Sequence, residues 1–395
     1  MSEDPIVIAG MARTAQGGFQ GALSALPAYD LGAAAIRAAV DRSGIANDTI
    51  EDVIMGCVLP AGQGQAPARQ ALLGAGLPES TGATTINKMC GSGMKAVMFA
   101  HDLILSGSSN IMVAGGMESM SNAPYLLDKA RGGFRMGHGK VADSMFLDGL
   151  EDAYDRGKLM GFFADDTAQN LQITREDQDN FALESLARAQ RAQKDGDFTG
   201  EIVPVTVKTR KGEESVAEDE SPKTARPEKI PQLRPAFNPD GTVTAANASS
   251  ISDGAAALVL MRRSEAEKRG LKILAEIKGH SFHAQKPADF TLAPIGATQK
   301  LLERVGWAAN DVDLFEINEA FAVVTLAAMR QLALPHEKVN VNGGACSLGH
   351  PIGASGARIL VTLISALQKR GLKRGVASLC IGGGEATAMA LELAS

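Results

Sequence analysis

Several features that mark large classes of protein are missing from this sequence of 395 residues. Lys and Arg (39) do not outnumber Asp and Glu (45), so the net charge is −6. A chain without a basic excess has no electrostatic footprint for a phosphate backbone, and we expect no nucleic-acid partner. No apolar stretch approaches the roughly 18 residues of a membrane span, so we expect no membrane partner either.

Cysteine is scarce, with Cys57, Cys90, Cys346 and Cys380 scattered along the chain. Their spacing matches no metal-ligand motif, and a chain of this length does not need disulfides to build a core. The acidic opening segment MSEDPIVIAG reaches its apolar run without a basic flank, which favours a first strand over a signal peptide. We therefore expect a reduced, cytoplasmic protein with no metal site.

The sequence contains an internal repeat. The segments LGAAAIRAAVDRSGIANDTIEDVIMGCV (31–58) and IGATQKLLERVGWAANDVDLFEINEAF (295–321) each combine a Gly-led helix, a Gly, an Asn-Asp stop and an apolar strand. A second helix then begins at Gly93 or Gly356 and leads through a turn into another apolar strand. This alternation predicts an α/β fold with mostly parallel sheets, formed by two similar halves packed together.

A different composition separates the two copies. From Met117 to about Ser250 the chain is rich in Met, Gly and charged residues, and one strong helix is predicted after Thr174, a plausible N-cap. Long insertions with little regular structure tend to be functional covers or binding loops. We therefore expect an inserted loop region that contributes to binding.

Four glycine-flanked segments carry residues that could take part in catalysis. Cys90 lies in TTINKMCGSGMKA, Asn318 and Glu319 in EINEAF, His350 in GGACSLGHPIGASG and Cys380 in SLCIGGGEA. These segments fall at corresponding ends of the two repeats, and ligands in open α/β sheets bind outside the carboxyl ends of the strands. The sequence therefore predicts that the four segments share one site.

Each candidate has a chemical and a structural interpretation. A thiol at a helix N-terminus, such as Cys90, is expected to favour the thiolate, whereas a lone Cys is more often inert core packing. His350 could pair with that thiolate or be merely structural. Cys380 precedes three glycines whose N–H groups could form an oxyanion-binding nest. Gly91, Ser92 and Gly93 are expected to let the chain turn sharply into the helix.

The full set of motifs resembles the thiolases, the acyl-CoA acetyltransferases that make or cleave 3-oxoacyl-CoA. The motifs are TTINKMCGSGMKA, VAGGMESMSNAPY, GTVTAANASSISDGAAA, NEAFA, VNGGACSLGHPIGASGARI and LCIGGGEA, in this order. The resemblance covers the chain from Val7 to the final strand. It implies a thiolase fold, with two duplicated βαβ halves forming a layered αβαβα core, and a large loop-domain insertion. The implied domains are residues 1–120 plus 251–273, a loop domain over 121–250 for coenzyme A (CoA) binding and oligomerisation, and residues 274–395.

The resemblance also implies a mechanism. Cys90 would attack the acyl-CoA carbonyl to give an acyl-enzyme, with His350 as the activating base. Cys380 would exchange the α-proton of the second acetyl-CoA. His350 and a water held by Asn318 would stabilise the enolate, and the N–H groups of Cys90 and Gly382 would bind the thioester oxyanion.

The same resemblance implies contacts to CoA. The residues concerned are Met160, Lys223, Ala236, Phe237, Ala245 and Ser249. Lys223 stands about where related enzymes often carry an arginine near the nucleotide, but it could equally be a solvated surface charge. Coenzyme A thioesters are substrates here, so no separate cofactor is expected.

The chain departs from the family pattern near the acyl group. Leu159 replaces a histidine common in acetoacetyl-CoA thiolases, and the following run is about two residues longer than usual. Phe162, Phe163 and Phe290 are bulky residues in the segments where the acyl chain should lie. We expect this bulk to close the pocket beyond a few carbons.

The predicted function is acetyl-CoA C-acetyltransferase, a reversible condensation of two acetyl-CoA into acetoacetyl-CoA and CoA, in a homotetramer by family analogy. A broad-chain 3-oxoacyl-CoA thiolase is the alternative. A ketosynthase-type condensing enzyme would generally carry His or Asn in place of Cys380. In a non-catalytic acyl-CoA-binding relative, the four candidate catalytic side chains would be free to drift, and all four are present.

Overall fold

The computed structural model describes residues 4–210 and 212–394. The strands are β1 (Ile6–Thr14), β2 (Gly17–Gly18), β3 (Asp52–Gly56), β4 (Gly82–Ile86), β5 (Ile111–Ser119), β6 (Tyr125–Leu127), β7 (Val141–Asp143), β8 (Ile202–Val203), β9 (Val205–Thr209), β10 (Gly212–Val216), β11 (Ser252–Arg262), β12 (Ala275–Ala284), β13 (Leu314–Ile317), β14 (Arg374–Ile381) and β15 (Glu385–Leu393). The α-helices are α1 (Ala28–Ser43), α2 (Pro67–Ala75), α3 (Ser92–Ser106), α4 (Met160–Asn170), α5 (Arg175–Lys194), α6 (Ser221–Thr224), α7 (Arg263–Lys268), α8 (Ala293–Val305), α9 (Ala322–Leu332), α10 (Ala345–Leu348) and α11 (Ser355–Arg370). Short 3₁₀ segments cover Asn47–Thr49, Met120–Asn122, Pro227–Gln232, Pro287–Leu292, Ala309–Asp311 and His336–Lys338, and Phe146–Leu150 forms a π-helical turn.

The internal repeat is visible in the structure. Helix α1, a 3₁₀ turn and strand β3 in the first half correspond to α8, a 3₁₀ turn and β13 in the second. Both helices end at a glycine with positive φ, Gly44 at +73° and Gly306 at +69°, a conformation that glycine adopts without steric cost. Helices α3 and α11 then lead into β5 and β14.

The strands of the two halves join into one sheet. Its order is β13-β14-β15-β12-β1-β11-β5-β3-β4, and the halves meet where β1 pairs with β12 through Val7 opposite Glu276 and Ile8 opposite Ala275. The expectation of mostly parallel sheets was wrong, because among the described strands β3/β4, β3/β5, β13/β14 and the short pair β1/β8 are parallel and the other pairs are antiparallel. Strands β14 and β15 are joined by a turn of three glycines, Gly382 to Gly384, too short for a parallel crossover, so they pair antiparallel.

The helices and the two halves of the sheet stack in five layers, as the resemblance to the thiolases implied. Helices α1 and α2 pack on one face of the first half, and α8 packs on the outer face of the second. Helices α3 and α11 lie together between the halves, in a core that contains apolar residues of both. This central layer carries the loops that precede α3 and α11, and therefore Cys90 and His350.

The insertion contains more regular structure than its composition indicates. Thr174 caps α5 as predicted: its hydroxyl accepts from the Asp177 N–H at 3.1 Å, and the Asp177 carboxylate accepts from the Thr174 N–H at 3.0 Å. A buried ion-pair cluster ties the insertion to the core, with Arg13 on Glu201 and Asp219, each at 2.7 Å. The proposed domain boundaries near residues 120, 250 and 273 stay a prediction.

Among the helices of the described ranges, none combines the length and apolar character needed to cross a membrane. All four cysteines are free thiols.

Candidate active site

One cavity of about 250 Å³ collects most of the predicted catalytic residues. Cys90, His350, Cys380 and Gly382 all line it, although they come from three separate segments of the chain. Asn318 follows β13 and does not line the cavity itself, but its side-chain nitrogen lies 3.4 Å from His350 Nδ1. The prediction of one shared site at strand ends therefore agrees with the geometry.

The loop that carries Cys90 is shaped by its neighbours rather than by flexible glycines. The sharp turn is made by Met89, which has a φ of +48°, while Gly91 has an ordinary φ of −80°. The Ser92 hydroxyl accepts from the Lys88 N–H at 2.8 Å and donates to the Met89 carbonyl at 2.6 Å. Ser92 therefore shapes the turn as expected, whereas the expectation for Gly91 and Gly93 was wrong, because the strained φ falls on Met89.

The two glycines serve close packing instead. A Cβ on Gly91 would lie 2.3 Å from Ile381 Cδ1, and a Cβ on Gly93 would lie 2.7 Å from the Ala357 backbone nitrogen of α11. Helix α3 begins at Ser92, so Cys90 precedes its first turn by two residues. Because glycine has no side chain, the loop that carries Cys90 packs directly on β14 and α11.

The Cys90 thiol is not stabilised as a thiolate in the resting structure. Burial raises the pKa of Cys90 to about 11, although the Gly382 and Cys90 backbone N–H groups act in the opposite direction. The expected effect of the helix terminus is therefore outweighed by desolvation. Those two N–H groups are the ones predicted to bind the thioester oxyanion, and both lie within reach of Cys90 Sγ.

His350 is held in a defined orientation. Its Nδ1 lies 2.6 Å from Ser355 Oγ, and Ser355 donates its hydroxyl hydrogen to the Pro351 carbonyl at 3.0 Å. Nδ1 is therefore the N–H of the ring and Nε2 its basic nitrogen, and Nε2 finds no hydrogen-bond partner among the described residues. Burial, followed by the charge of Arg358, lowers the pKa of His350 to about 3, so the ring is neutral at pH 7.

Cys380 lies near the end of β14 and is almost completely buried. Burial, and next the proximity of Cys90, raise the pKa of the Cys380 thiol well above its ordinary value. Gly382 follows two residues later and faces Met160, whose Cε would be 3.9 Å from an added Cβ. The second thiol is thus protonated at rest and shares the cavity with the first.

Two buried carboxylates organise the loops around the site. Glu118, at the end of β5, accepts from the N–H groups of Val58 (2.9 Å), Leu59 (3.1 Å) and Gly353 (2.8 Å), which ties the two halves together. Desolvation by burial raises the pKa of Glu118 to about 7. The sequence analysis did not single out Glu118, although the motif VAGGMES contains it.

Glu319, which the sequence analysis flagged beside Asn318, does not line the cavity. Its carboxylate accepts from Ser185 Oγ at 2.7 Å, Asn340 Nδ2 at 2.8 Å and the Cys346 N–H at 3.1 Å. Glu319 therefore positions the loops that flank Asn318 and His350.

The wall of the cavity opposite the catalytic residues is formed by the insertion. Leu147, Leu150 and Tyr154 contribute from the segment after β7, which the sequence analysis did not identify. Phe290 and Phe321 close the inner end, with their ring centroids 6.4 Å apart.

Only one of the three phenylalanines expected at the acyl group lies there. Phe290 lines the cavity, but Phe163 packs into the core beside it and Phe162 contacts Phe237, with ring centroids 6.5 Å apart. The expectation for Phe162 and Phe163 was wrong, because α4 begins at Met160 and turns Met160 rather than either Phe toward the cavity.

The residues predicted to contact CoA are spread over a wider region. Met160 and Ser249 line the catalytic cavity, whereas Ala245 lines a neighbouring cavity of about 310 Å³ next to Ser250. Ala236 donates its N–H to the Val243 carbonyl at 2.8 Å, and Phe237 packs on Gly161, where a Cβ would approach it to 2.2 Å.

Lys223 lies outside both cavities. It is half exposed on the short helix α6, where its ammonium pairs with Glu218. The basic residues that do line the neighbouring cavity are Arg226 and Lys229, which the sequence analysis missed. The signal was the density of basic residues after Lys223 in PKTARPEK.

A duplicated five-layer α/β core with two thiols and a neutral histidine in one cavity fits the acyltransferase class. The family described as "Thiolase, N-terminal domain" matches residues 6–264, and "Thiolase, C-terminal domain" matches residues 271–393. The chain belongs to the thiolase family.

Similar proteins support this assignment over the full length. Acetyl-CoA acetyltransferase 2 of Arabidopsis thaliana is 53% identical over 392 residues, covering 98% of this chain and 97% of the relative. The crystal structure of the Bacillus anthracis acetyl-CoA acetyltransferase superposes with a TM-score of 0.96 at 42% identity, covering 99% of both chains. A thiolase from Ascaris suum in complex with coenzyme A gives a TM-score of 0.93 at 42% identity, covering 99% of this chain and 100% of that one.

Proposed function

We propose that this chain is an acetyl-CoA C-acetyltransferase, which condenses two acetyl-CoA into acetoacetyl-CoA and free CoA by a ping-pong mechanism, and catalyses the reverse cleavage. The observation that carries the proposal is the single cavity in which Cys90, His350 and Cys380 meet. Relatives at about 50% identity carry the name acetyl-CoA acetyltransferase, and the Ascaris suum relative binds coenzyme A in its crystal structure.

In the first half-reaction, Cys90 Sγ attacks the thioester carbonyl while His350 Nε2 takes the thiol proton. The departing CoA thiolate takes the proton of Cys380. An acetyl group is then bonded to Cys90, and the pair left behind is an imidazolium and a Cys380 thiolate. The protons balance, because one passes from Cys90 to His350 and one from Cys380 to CoA.

In the second half-reaction, the Cys380 thiolate removes the α-proton of a second acetyl-CoA. The enolate oxygen is stabilised by the His350 imidazolium and by a water held by Asn318. The carbanion attacks acetyl-Cys90, whose oxyanion is bound by the N–H groups of Cys90 and Gly382. Collapse expels the Cys90 thiolate, which recovers its proton from His350.

The protonation states of Cys90 and His350 in the free enzyme support this order of steps. With the pKa of Cys90 raised to about 11 and that of His350 lowered to about 3, the free site is neutral near pH 7. Charges therefore develop only as substrate enters and the proton transfers occur. A site of fixed dipoles and neutral groups stabilises such transient charge without a standing ion pair.

The nucleotide end of CoA extends away from Ser249 toward the neighbouring cavity in this proposal. Ala245 and Ser250 line that cavity, and Arg226 and Lys229 supply positive charge for the phosphates at its rim. Met160 and Phe237 would contact the pantetheine arm between the two cavities. Lys223, paired with Glu218, has a lesser role at the surface.

Short acyl chains fit this site best. Phe290 and Phe321 close the inner end of the 250 Å³ cavity, so a longer acyl chain must displace an aromatic ring. The alternative is a broad-chain 3-oxoacyl-CoA thiolase, in which the insertion wall at Leu147 and Leu150 would give way. Each excluded methylene is worth about 1–3 kcal/mol, so the preference should be graded.

Thiolysis of a ladder of 3-oxoacyl-CoA substrates tests the assignment. Acetoacetyl-CoA should be cleaved with a higher kcat/KM than 3-oxohexanoyl-CoA, and much higher than 3-oxodecanoyl-CoA. Phe290→Ala should raise the relative kcat/KM for the six-carbon substrate by about 10-fold or more. Phe163→Leu, in the core beside the cavity, is the control and should leave the profile unchanged. A flat or rising profile in the parent enzyme would favour the broad-chain activity.

We place the enzyme in the cytoplasm as a homotetramer. The β6–β7 hairpin exposes Tyr125, Leu127, Met136 and Val141, and Met136 is 97% exposed. Strand β4 at the end of the sheet offers a free edge for a second copy. Sedimentation of the purified chain measures the oligomeric state, and a monomer would contradict this assembly.

A further inference from the structure

A second cluster of functional side chains lies away from the catalytic cavity. His101 and Asp102 are consecutive residues of α3, and His280 belongs to β12. His101 Nδ1 lies 3.0 Å from Asp102 Oδ1, and His280 Nε2 lies 2.9 Å from the same oxygen. None of the three lines the catalytic cavity.

The fold brings these residues together across the boundary between the two halves. Asp102 and His280 are 178 residues apart in the chain. Strand β12 carries a register shift between Ile277 and Gly279, directly before His280, and such bulges re-aim the side chains that follow them. The two imidazole rings meet edge to face, with centroids 5.0 Å apart and an interplanar angle of 88°.

The ligand atoms have the spacing of a metal site. The two ring nitrogens and the carboxylate oxygen all lie within 4.8 Å of one another. Ligands at 2.0–2.1 Å from a tetrahedral Zn²⁺ are about 3.3 Å apart, so the distances of 3.0 and 2.9 Å to Asp102 are close to the required spacing. Both histidine side chains are largely buried, whereas the Asp102 side chain is 53% exposed and leaves a path for entry.

We propose that His101 Nδ1, Asp102 Oδ1 and His280 Nε2 form a binding site for a divalent transition metal ion, with Zn²⁺ as the best match. Two neutral imidazoles and one carboxylate are a donor set that suits Zn²⁺ and its first-row neighbours. The ion replaces the two hydrogen bonds to Asp102, each imidazole carries its single N–H on the nitrogen that does not bind the metal, and water completes the tetrahedron. Bound metal joins α3 of the first half to β12 of the second, so its effect is on stability rather than on the chemical step.

Titration of the chelator-treated, full-length enzyme with ZnCl₂ in a calorimeter tests the site. We expect one equivalent to bind, and His280→Gln and Asp102→Asn each to weaken binding by at least about 10-fold. At 100 times the dissociation constant, Zn²⁺ should raise the Tm of the parent enzyme by about 3 °C and leave that of the variants unchanged. His138→Gln, in the exposed loop between β6 and β7, is the matched control and should bind as the parent does.

The catalytic thiols are the competing metal ligands, and Co²⁺ distinguishes them. Cobalt bound by nitrogen and oxygen ligands has no thiolate-to-metal charge-transfer band. Such a band, or one-equivalent binding that persists in both variants, would overturn the proposal, as would the absence of any binding or Tm shift in the parent. The Asp102→Asn variant keeps the test decisive if His280→Gln fails to fold, because Asp102 is half exposed.

Discussion

The two central helices occupy equivalent places in the two halves, yet their surroundings differ. The first thirteen residues of α11, Ser355 to Leu367, are all buried, whereas α3 leaves Phe99, Asp102 and Leu105 exposed. The loop before α3 carries the half-buried Cys90, the proposed nucleophile, and the loop before α11 carries the buried His350, the proposed base. Duplication thus supplied two similar loop-to-helix junctions, and a different chemical role was placed on each.

The two helices meet through a reciprocal pair of glycines. A Cβ on Gly93 of α3 would lie 2.7 Å from the backbone nitrogen of Ala357, and a Cβ on Gly356 of α11 would lie 2.4 Å from that of Met94. Each helix therefore touches the backbone of the other within its first turn. This close crossing is what brings Cys90 and His350 to the same cavity.

The largest loss of activity is expected for Cys90→Ala, in the loop before α3. Acetyl-CoA alone should add one acetyl group per chain to the parent enzyme and none to the variant, and condensation should fall by at least about 10⁴-fold, because the nucleophile is gone. Intact-protein mass spectrometry measures the label. Cys346→Ala, outside the catalytic cavity, is the control and should still be acetylated. A label that remains in Cys90→Ala would move the nucleophile elsewhere.

Cys380→Ala separates the second half-reaction from the first. The variant should still acetylate Cys90, with water in place of Cys380 as the proton donor to the departing CoA thiolate, but lose about 10²–10⁴-fold in condensation, because the group that exchanges the α-proton is missing. Exchange of the acetyl methyl hydrogens with deuterated water, followed by NMR, should fall by a similar factor. Normal exchange in this variant would remove Cys380 from the mechanism.

The protonation state of Cys90, at the loop before α3, can be read from the pH dependence of its alkylation. Because the pKa of Cys90 is raised to about 11 and that of His350 is lowered to about 3, the thiolate fraction should rise about 10-fold per pH unit between pH 7 and 10. Alkylation of Cys90 by iodoacetamide, measured on the peptide that contains it, should follow that slope. A plateau that begins near pH 7 would reveal a resting thiolate–imidazolium pair.

The helix crossing itself should show the smallest effect. Gly356→Ala forces a methyl group against the Met94 backbone, and such overpacking costs about 1–3 kcal/mol, which for a chain of this length lowers Tm by about 1–4 °C. Thermal unfolding of the free enzyme measures the change. Gly200→Ala is the matched control, since no heavy atom lies within 4 Å of its Cβ position. Equal Tm values for the two variants would mean that the crossing tolerates a side chain.

The parts of the molecule that sequence could predict are those that repeat or that carry chemistry in a motif. The helix–strand units around Gly44 and Gly306 were visible as a repeat, since both helices end in the same way. Cys90, His350 and Cys380 were placed together because strand ends at one edge of a sheet are neighbours. Thr174 was identified as a cap because its signal lies within four residues.

The parts that sequence could not predict depend on packing between distant segments. Met89 carries the positive φ of a loop that packs on β14 through Gly91, and no turn-forming residue type at position 89 indicates it. Which phenylalanine reaches the acyl group depends on the rotation of α4, and the partner of Lys223 depends on the path of the insertion. The antiparallel pairing of β1 with β11 joins residues 256 positions apart, such as Ile6 and Arg262, beyond the reach of periodicity.

That long-range pairing also shapes how the protein is made. Strand β1 is synthesised before all of its sheet partners, which are the short strand β8 and the long strands β11 and β12, whose pairing residues reach as far as Glu276. At about 5–20 residues per second, the first strand waits roughly 10–50 s for its partners. Its nine residues, IVIAGMART, are completely buried in the finished protein. During synthesis they are a mostly apolar strand without these partners, so we expect the nascent chain to need shielding of β1 until β11 and β12 have emerged.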